Sequence, residues 1–233
     1  MCGSRDPGNL DDMLKGWGHA AVWLHIISSV AWMAEALTLF TLMAVGSGGD
    51  PGQRASALSM AHVVDHHLLA PAANASLFTG VLLAGATSWG YFRHWWMFAK
   101  FAITIVQFNA AIILLSPALG EAEAAARAGD PSPAPWPLIA GTALMASAIA
   151  FQAWLSVAKP WKRTPWAAQA KPKTAPVWVF VLAVCAPLAD IVVGAVLGFP
   201  SPLLSLIAVV VVLVHRRRSV RAGRAAPRVA AAA

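Results

Sequence analysis

Hydrophobic positions along the chain come in unbroken runs, at about 18–45, 58–86, 95–116, 136–157, 177–195 and 196–214, separated by short polar stretches. A run near 20 apolar residues is what a hydrocarbon layer of about 30 Å requires of a helix that crosses it. Within that layer the backbone must satisfy its own hydrogen bonds, which an α-helix does inside one segment. The pattern predicts an all-α fold, a polytopic transmembrane helical bundle of five or six spans. The last two runs form a stretch of about forty residues, twice the length that one crossing needs. Gly194, Gly198, Pro200 and Pro202 supply a place to turn within it. Six spans and five spans with a re-entrant end are both compatible with that stretch.

Three regions follow from this reading. Residues 1–16 form an amino-terminal segment with no apolar core, so no cleavable signal is expected and the first run should be retained. Residues 17–215 form a single transmembrane domain. Residues 216–233 form a basic tail expected to be disordered, its end being AAPRVAAAA.

Composition agrees with the pattern: 58% of residues are hydrophobic and 12% charged, against about a quarter charged in soluble domains. Cys2 and Cys185 are far apart with no CxxC spacing, which argues against a disulfide framework, an iron–sulfur site or a cysteine zinc site. The net charge of +7 is unevenly placed. Lys159, Lys162, Arg163, Lys171 and Lys173 fill one connection without an acid, and Arg216, Arg217, Arg218, Arg221, Arg224 and Arg228 fill the tail. Basic connections stay on the cytoplasmic side, so both termini are expected there in the six-span arrangement. The 117–135 connection carries Glu121, Glu123 and Asp130 against Arg127, as an outer connection would. A basic tail after a span is expected to meet anionic lipid headgroups rather than nucleic acid. Trp17, Trp89, Trp95, Trp96, Trp136, Trp161, Trp166 and Trp178 fall at run ends, where indoles settle at the headgroup level. Trp23, Trp32 and Trp154 fall inside runs, where packing is their expected role.

Ionisable side chains inside the hydrocarbon cost several kcal/mol each and are functional candidates by default. Three acids qualify: Glu35, Asp65 and Asp190. At about 1.5 Å of rise per residue they are expected at similar heights, roughly 20 Å from the inner face, which makes them candidates for a proton or ion relay. Around the second acid the chain reads His62-Val-Val-Asp65-His66-His67. On a helix, positions i, i+3 and i+4 share a face, so His62, Asp65 and His66 could offer two imidazoles and a carboxylate to one metal, with Glu35 nearby. The same residues read equally as solvated groups at the outer interface. Carboxylate and imidazole ligands suit copper(II), zinc or iron rather than copper(I), and the seven methionines are scattered rather than helically spaced.

His25 is the other buried histidine, on a stripe with Ser28, Ser29, Trp32 and Ala36 that suits either close helix packing or a cofactor edge. Arg93, His94 and Lys100 flank the start of the third run. They read as an interfacial basic belt or as contacts to an anionic cofactor group such as a heme propionate.

The stretch Trp23-Leu-His25-Ile-Ile-Ser-Ser-Val-Ala-Trp32-Met, with Pro71, Leu77-Phe-Thr-Gly80 and the run Trp89-Gly90 to Lys100, resembles a group of bacterial integral membrane proteins of unassigned function, frequent in actinobacteria. That group is distantly similar to HemJ-type protoporphyrinogen oxidases and to CopD-type copper-resistance membrane proteins. The resemblance covers about residues 17–116. It implies a bacterial cytoplasmic membrane and, from the HemJ-like side, heme b with His25 and Lys100 as the matching positions; the CopD-like side implies copper handling. Glu35 stands where such proteins carry a small residue, and the His62-Asp65-His66-His67 cluster lies outside their pattern.

The leading functional expectation is an integral membrane heme- or metal-binding redox protein, with membrane oxidoreductase as the matching enzyme class. Two rivals are a metal-ion or proton transporter and a non-catalytic accessory subunit of a larger membrane complex. The expected surroundings are the lipid bilayer and a redox or membrane-complex partner protein. No Ser or Cys sits in an activating motif and no phosphate-binding glycine loop is present.

Overall fold

A computed structural model describes residues 7–87, 89–132, 134–165, 167 and 174–225, with side chains described over 12–218 of these. Cys2, Trp166, Lys171, Lys173 and Arg228 lie outside the described residues. Six helices run up and down: α1 Pro7–Gly48, α2 Pro51–Ala86, α3 Trp95–Arg127, α4 Trp136–Ala158, α5 Val177–Leu197 and α6 Leu203–Ala225. The first five are long and apolar enough to cross a membrane, and the chain is a multi-pass membrane protein. Its outer surface fits that solvent. Val157 is 85% exposed and Val196 81%, and α1, α3, α4 and α5 all turn large aliphatic side chains outward, a surface that lipid covers and water would not tolerate.

With 23 and 21 residues, α4 and α5 are about 30–35 Å long, close to the hydrocarbon thickness. The first three helices are far longer, at 42, 36 and 33 residues. Ala175 N donates to Ala86 O at 2.9 Å, and a ring nitrogen of His66, Nε2, donates to Gly198 O at 3.2 Å. Residues 66–86 of α2 therefore run beside α5, and everything on α2 before residue 66 projects beyond the α5–α6 turn. An outer arm results, built from the end of α1, the start of α2 and the end of α3. The expected runs left out its stretches 46–57 and 117–127, because those residues are polar or small. They are helical because alanine and glutamate in SPALGEAEAAAR favour helix, and because the Asp50 carboxylate caps α2 by accepting from Gln53 N at 2.8 Å. Arg54, 8% exposed, locks the arm: its guanidinium donates to Gly46 O at 3.1 Å, to Pro131 O and to Gly49 O at 3.4 Å.

Two helices widen part-way along their length. In α2 the π-helical turn Asp65–Leu69 ends on Ala70 N donating to Asp65 O, and in α3 the turn Ala111–Leu115 ends on Ser116 N donating to Ala111 O. Each is followed at once by proline, Pro71 or Pro117, which has no N–H and whose ring crowds the carbonyl four residues back. The wide turn makes room for that ring. Ser116 Oγ donates to Asp65 Oδ2 at 2.7 Å, joining the two turns.

The core divides likewise. An outer cluster gathers Trp32, Leu39 and Met43 of α1 with Leu58 and Leu69 of α2, Leu119 of α3 and Met145 and Ile149 of α4. An inner cluster gathers Ala21 and Leu82 with Val179, Phe180, Ala208 and Val212. The inner half of α3 joins neither closely and packs chiefly on α4.

At the inner end the loops are tied together. Thr164 N donates to Arg93 O at 3.0 Å, Thr164 Oγ1 donates to Phe92 O, and His94 and Arg163 form an antiparallel bridge. Arg216 Nη1 donates to Gly85 O at 2.8 Å and lies 5.7 Å from the Tyr91 ring centroid. The Trp178 and His215 rings are 5.0 Å apart, and Gly18 lies beside Phe180, so α1 starts at the end of the bundle where α6 finishes. The segment 7–16 and the tail up to Ala225 were expected outside the helical domain, yet both are helical. The arginines and alanines of the tail are good helix formers and simply continue α6.

Burial, with the guanidinium groups of Arg163 and Arg93, holds the His94 imidazole below its ordinary pKa. A base kept neutral in the fold contributes stability above the ordinary histidine value of about 6.5 and loses it as pH falls through that value. Lowering the pH from 7 to 5 should therefore reduce Tm in detergent, and His94→Gln should flatten part of that slope. An identical slope in the variant would assign it to other groups.

Candidate functional site

The site begins with one face of α1. His25 Nδ1 lies 3.1 Å from Ser76 O and 3.0 Å from Thr79 Oγ1 on α2. A carbonyl only accepts, so the Ser76 contact puts the ring proton on Nδ1; the Thr79 hydroxyl meanwhile donates to Ala75 O at 2.6 Å. In this tautomer Nε2 carries a free lone pair and has no hydrogen-bond partner among the described residues. Ser29 Oγ donates to His25 O at 2.7 Å and meets Ser76 Oγ at 2.7 Å, which fixes the two helices side by side. Gly80 makes this approach possible, since a Cβ there would stand 3.0 Å from His25 Cε1.

Facing this pair, α3 and α4 share a second polar ladder. Lys100 Nζ donates to Ser156 Oγ, and one turn further Thr104 Oγ1 donates to Gln152 Oε1 at 2.6 Å. The Lys100 ammonium is near enough to the His25 ring to act on it electrostatically. Deeper in the bundle, Trp32 is 2% and Gln107 8% exposed, and neither the Trp32 Nε1 nor the two Gln107 amide atoms have a partner among the described residues. Such groups are nearly always paired in folded proteins, and leaving one unmade costs about 1–3 kcal/mol. Trp23 and Trp154, 63% and 51% exposed, turn to lipid instead.

Of the four residues expected around a cofactor, His25 lies in the α1–α2 seam and Lys100 is near enough to act on its ring electrostatically. Arg93 and His94 belong to the inner loops below it, where the His94 ring packs against Trp89 at 5.6 Å and Trp96 at 6.1 Å.

The outer set does not assemble as expected. Among the described residues no three of His, Cys, Asp or Glu come together as a metal would need. His62 Nδ1 lies 2.6 Å from Glu123 Oε2, whose other oxygen accepts from Arg127 at 2.6 Å. Asp65 accepts from Ser116, His66 donates to Gly198, and one Glu35 oxygen is buried with no partner. The His62 and His66 rings stay beside each other, 6.4 Å between centroids, but His62, Asp65 and His66 are each held by a different neighbour. The physical reason is competition: Glu123, Ser116 and the Gly198 carbonyl take the polar atoms that a metal would need.

No hydrogen bond among the described residues links Glu35, Asp65 and Asp190. Both Asp190 oxygens are taken by α6 backbone amides, Leu204 N on Oδ1 and Ser205 N on Oδ2, each at 2.8 Å. By helical rise Asp65 sits about 30 Å from the inner end and Asp190 about 20 Å. The capping also resolves the last apolar stretch. Residues 199–201 fold back against Gly194, where a Cβ would lie 3.2 Å from Phe199 O, and α6 starts beside Asp190, about 10 Å inside the end of α5. The sixth helix therefore begins within the depth of the bundle.

Sequence reading missed Arg54, Glu123 and Ser116 as partners. The first two lay in segments read as connections, and a serine before a proline carries no signal of its own. Compared with protein-family models, curated proteins and solved structures, the chain matches none.

Proposed function

We propose that this chain is an integral membrane heme- or metal-binding redox protein whose cofactor ligand is His25. The observation that carries the reading is the state of that ring: Nδ1–H is oriented by the Ser76 carbonyl and Nε2 is left as a bare lone pair at membrane depth. Ligating histidines are held in this way, with the second nitrogen bonded to a carbonyl that fixes the tautomer and raises ligand basicity. The unpaired Trp32 and Gln107 atoms on the neighbouring faces add polar groups that a bound molecule would satisfy. The resemblance to HemJ-type proteins at His25 and Lys100 makes heme b the first candidate. When bound, such a group supplies the one-electron couple. The chain's own part is to orient the imidazole, to set the Lys100 ammonium where an anionic edge can be neutralised, and to keep water out. The resemblance favours a bacterial cytoplasmic membrane, and the basic connections favour both termini in the cytoplasm. Ion transport is the weaker reading, because the three acids have separate surroundings.

The test is a reduced-minus-oxidised absorption spectrum of the detergent-purified chain, with elemental analysis. A Soret band with sharp α and β bands, lost in His25→Ala and in Gly80→Leu, is the expected result. A chain free of both heme and stoichiometric metal, or a spectrum unchanged by His25→Ala, would overturn the assignment.

A further inference from the structure

A cleft of about 110 Å³ opens between α2 and α5 under the α5–α6 turn, away from the His25 seam. Its polar lining is His66, His67, Asn74, Asp190 and Ser201. Two of these are already committed, His66 to the Gly198 carbonyl and Asp190 to the α6 amides. The Asn74 amide, the His67 ring and the Ser201 hydroxyl have no hydrogen bond within the protein among the described residues.

What remains defines the occupant. No lysine or arginine lines the cleft, so it offers nothing to an anion. Both oxygens of its one carboxylate already accept backbone amides, so it offers little to a cation. The walls are apolar, with Pro71 on one side and Pro187 on the other, and small residues at Ala75 and Gly194 keep the slot narrow. Phe199 and Ile191, 53% and 40% exposed, flank it on the surface that faces lipid. A neutral, flat molecule that partitions into hydrocarbon and presents acceptor oxygens to N–H and O–H donors matches each of these features. Clefts with apolar walls and a few convergent polar groups are the usual form of small-molecule sites, and irregular backbone at membrane depth, as at residues 198–202, is tolerated where it lines a cavity.

We propose that this cleft binds the headgroup of a lipid-soluble quinone, with Asn74, His67 and Ser201 donating to its carbonyl oxygens and its tail leaving past Phe199 into the bilayer. As the electron partner of the chain this ligand rests on the redox reading above; as a binding site it stands on the cleft alone.

The experiment uses the full chain in detergent and a photoreactive azidobenzoquinone with a decyl tail. Label is expected on peptides within 66–75 or 187–201, to be chased by a tenfold excess of unlabelled decylbenzoquinone, and to fall at least fivefold in Ala195→Phe, which fills the cleft from its lipid-exposed side. Asn74→Leu, which keeps side-chain volume and removes the donor, should lower labelling by a similar factor and stands as the test if the phenylalanine variant does not fold. Label spread over the lipid faces of α1 and α3, label chased equally by phosphatidylglycerol, or wild-type labelling of the folded variants would each overturn the proposal. Labelling needs no heme. A chain free of heme and metal that binds the quinone would sink the redox reading and leave this site standing, and a heme- or metal-loaded chain that fails to bind would do the reverse.

Discussion

Asp190→Ala should be among the most destabilising single substitutions in this protein, at about 2–5 kcal/mol. The carboxylate accepts from two successive amides at the start of α6, and that start lies within the bundle rather than at its surface. Removing it leaves two N–H groups without partners where water cannot replace them, each worth about 1–3 kcal/mol. It also withdraws a negative charge from the positive end of the helix dipole. Asp190→Asn retains one acceptor oxygen and should lose about half as much. Unfolding in mixed micelles of mild detergent and increasing dodecyl sulfate measures both. A wild-type midpoint for Asp190→Ala would mean that α6 is held by its apolar contacts alone.

Arg54→Met should produce a loss of about 3 kcal/mol confined to the outer arm. The guanidinium is buried and divides its donors among the carbonyls of Gly46, Gly49 and Pro131, so one side chain closes the α1–α2 turn and pins the 128–135 loop upon it. Methionine retains the stem and removes every donor, and a buried acceptor left unpaired costs about 1 kcal/mol or more. Arg54→Lys should recover little, because a point cation cannot reproduce the fork. Amide exchange should rise over 46–54 and 128–135 while the inner helices remain protected. A uniform rise would show that arm and bundle unfold together.

The class of fold was legible because bilayer thickness writes itself into run length, and all six runs correspond to helices. The arm was not legible, since alanine-rich polar helix and polar loop look alike when only hydropathy is read. Within the candidate site, His25 and Lys100 stand out by type and place, but their partners Ser76, Thr79 and Ser156 lie 51 to 56 residues away and leave no local signal. The outer histidines do share a side of α2, as their spacing implies, but the partners that hold them, Glu123 and Gly198, lie far off in sequence and cannot be read from that spacing. Asp190 was noticed as a buried acid, but nothing local distinguishes a carboxylate that caps a neighbouring helix from one that carries protons. Its partners lie 14 and 15 residues away.

The two wide turns act as a dislocation running across the bundle. Each inserts one residue, and one residue is about 100° of rotation, so the stretches of α2 and α3 in the arm are out of phase with the stretches in the bundle. The Asp65–Ser116 bond places both phase changes side by side, which lets the arm turn as one body and bring His62 against Glu123 while the inner faces keep their lipid and core sides. For this chain, then, two prolines set the angular bearing of the whole arm, and losing a single residue from either turn would re-aim it without altering one of its side chains.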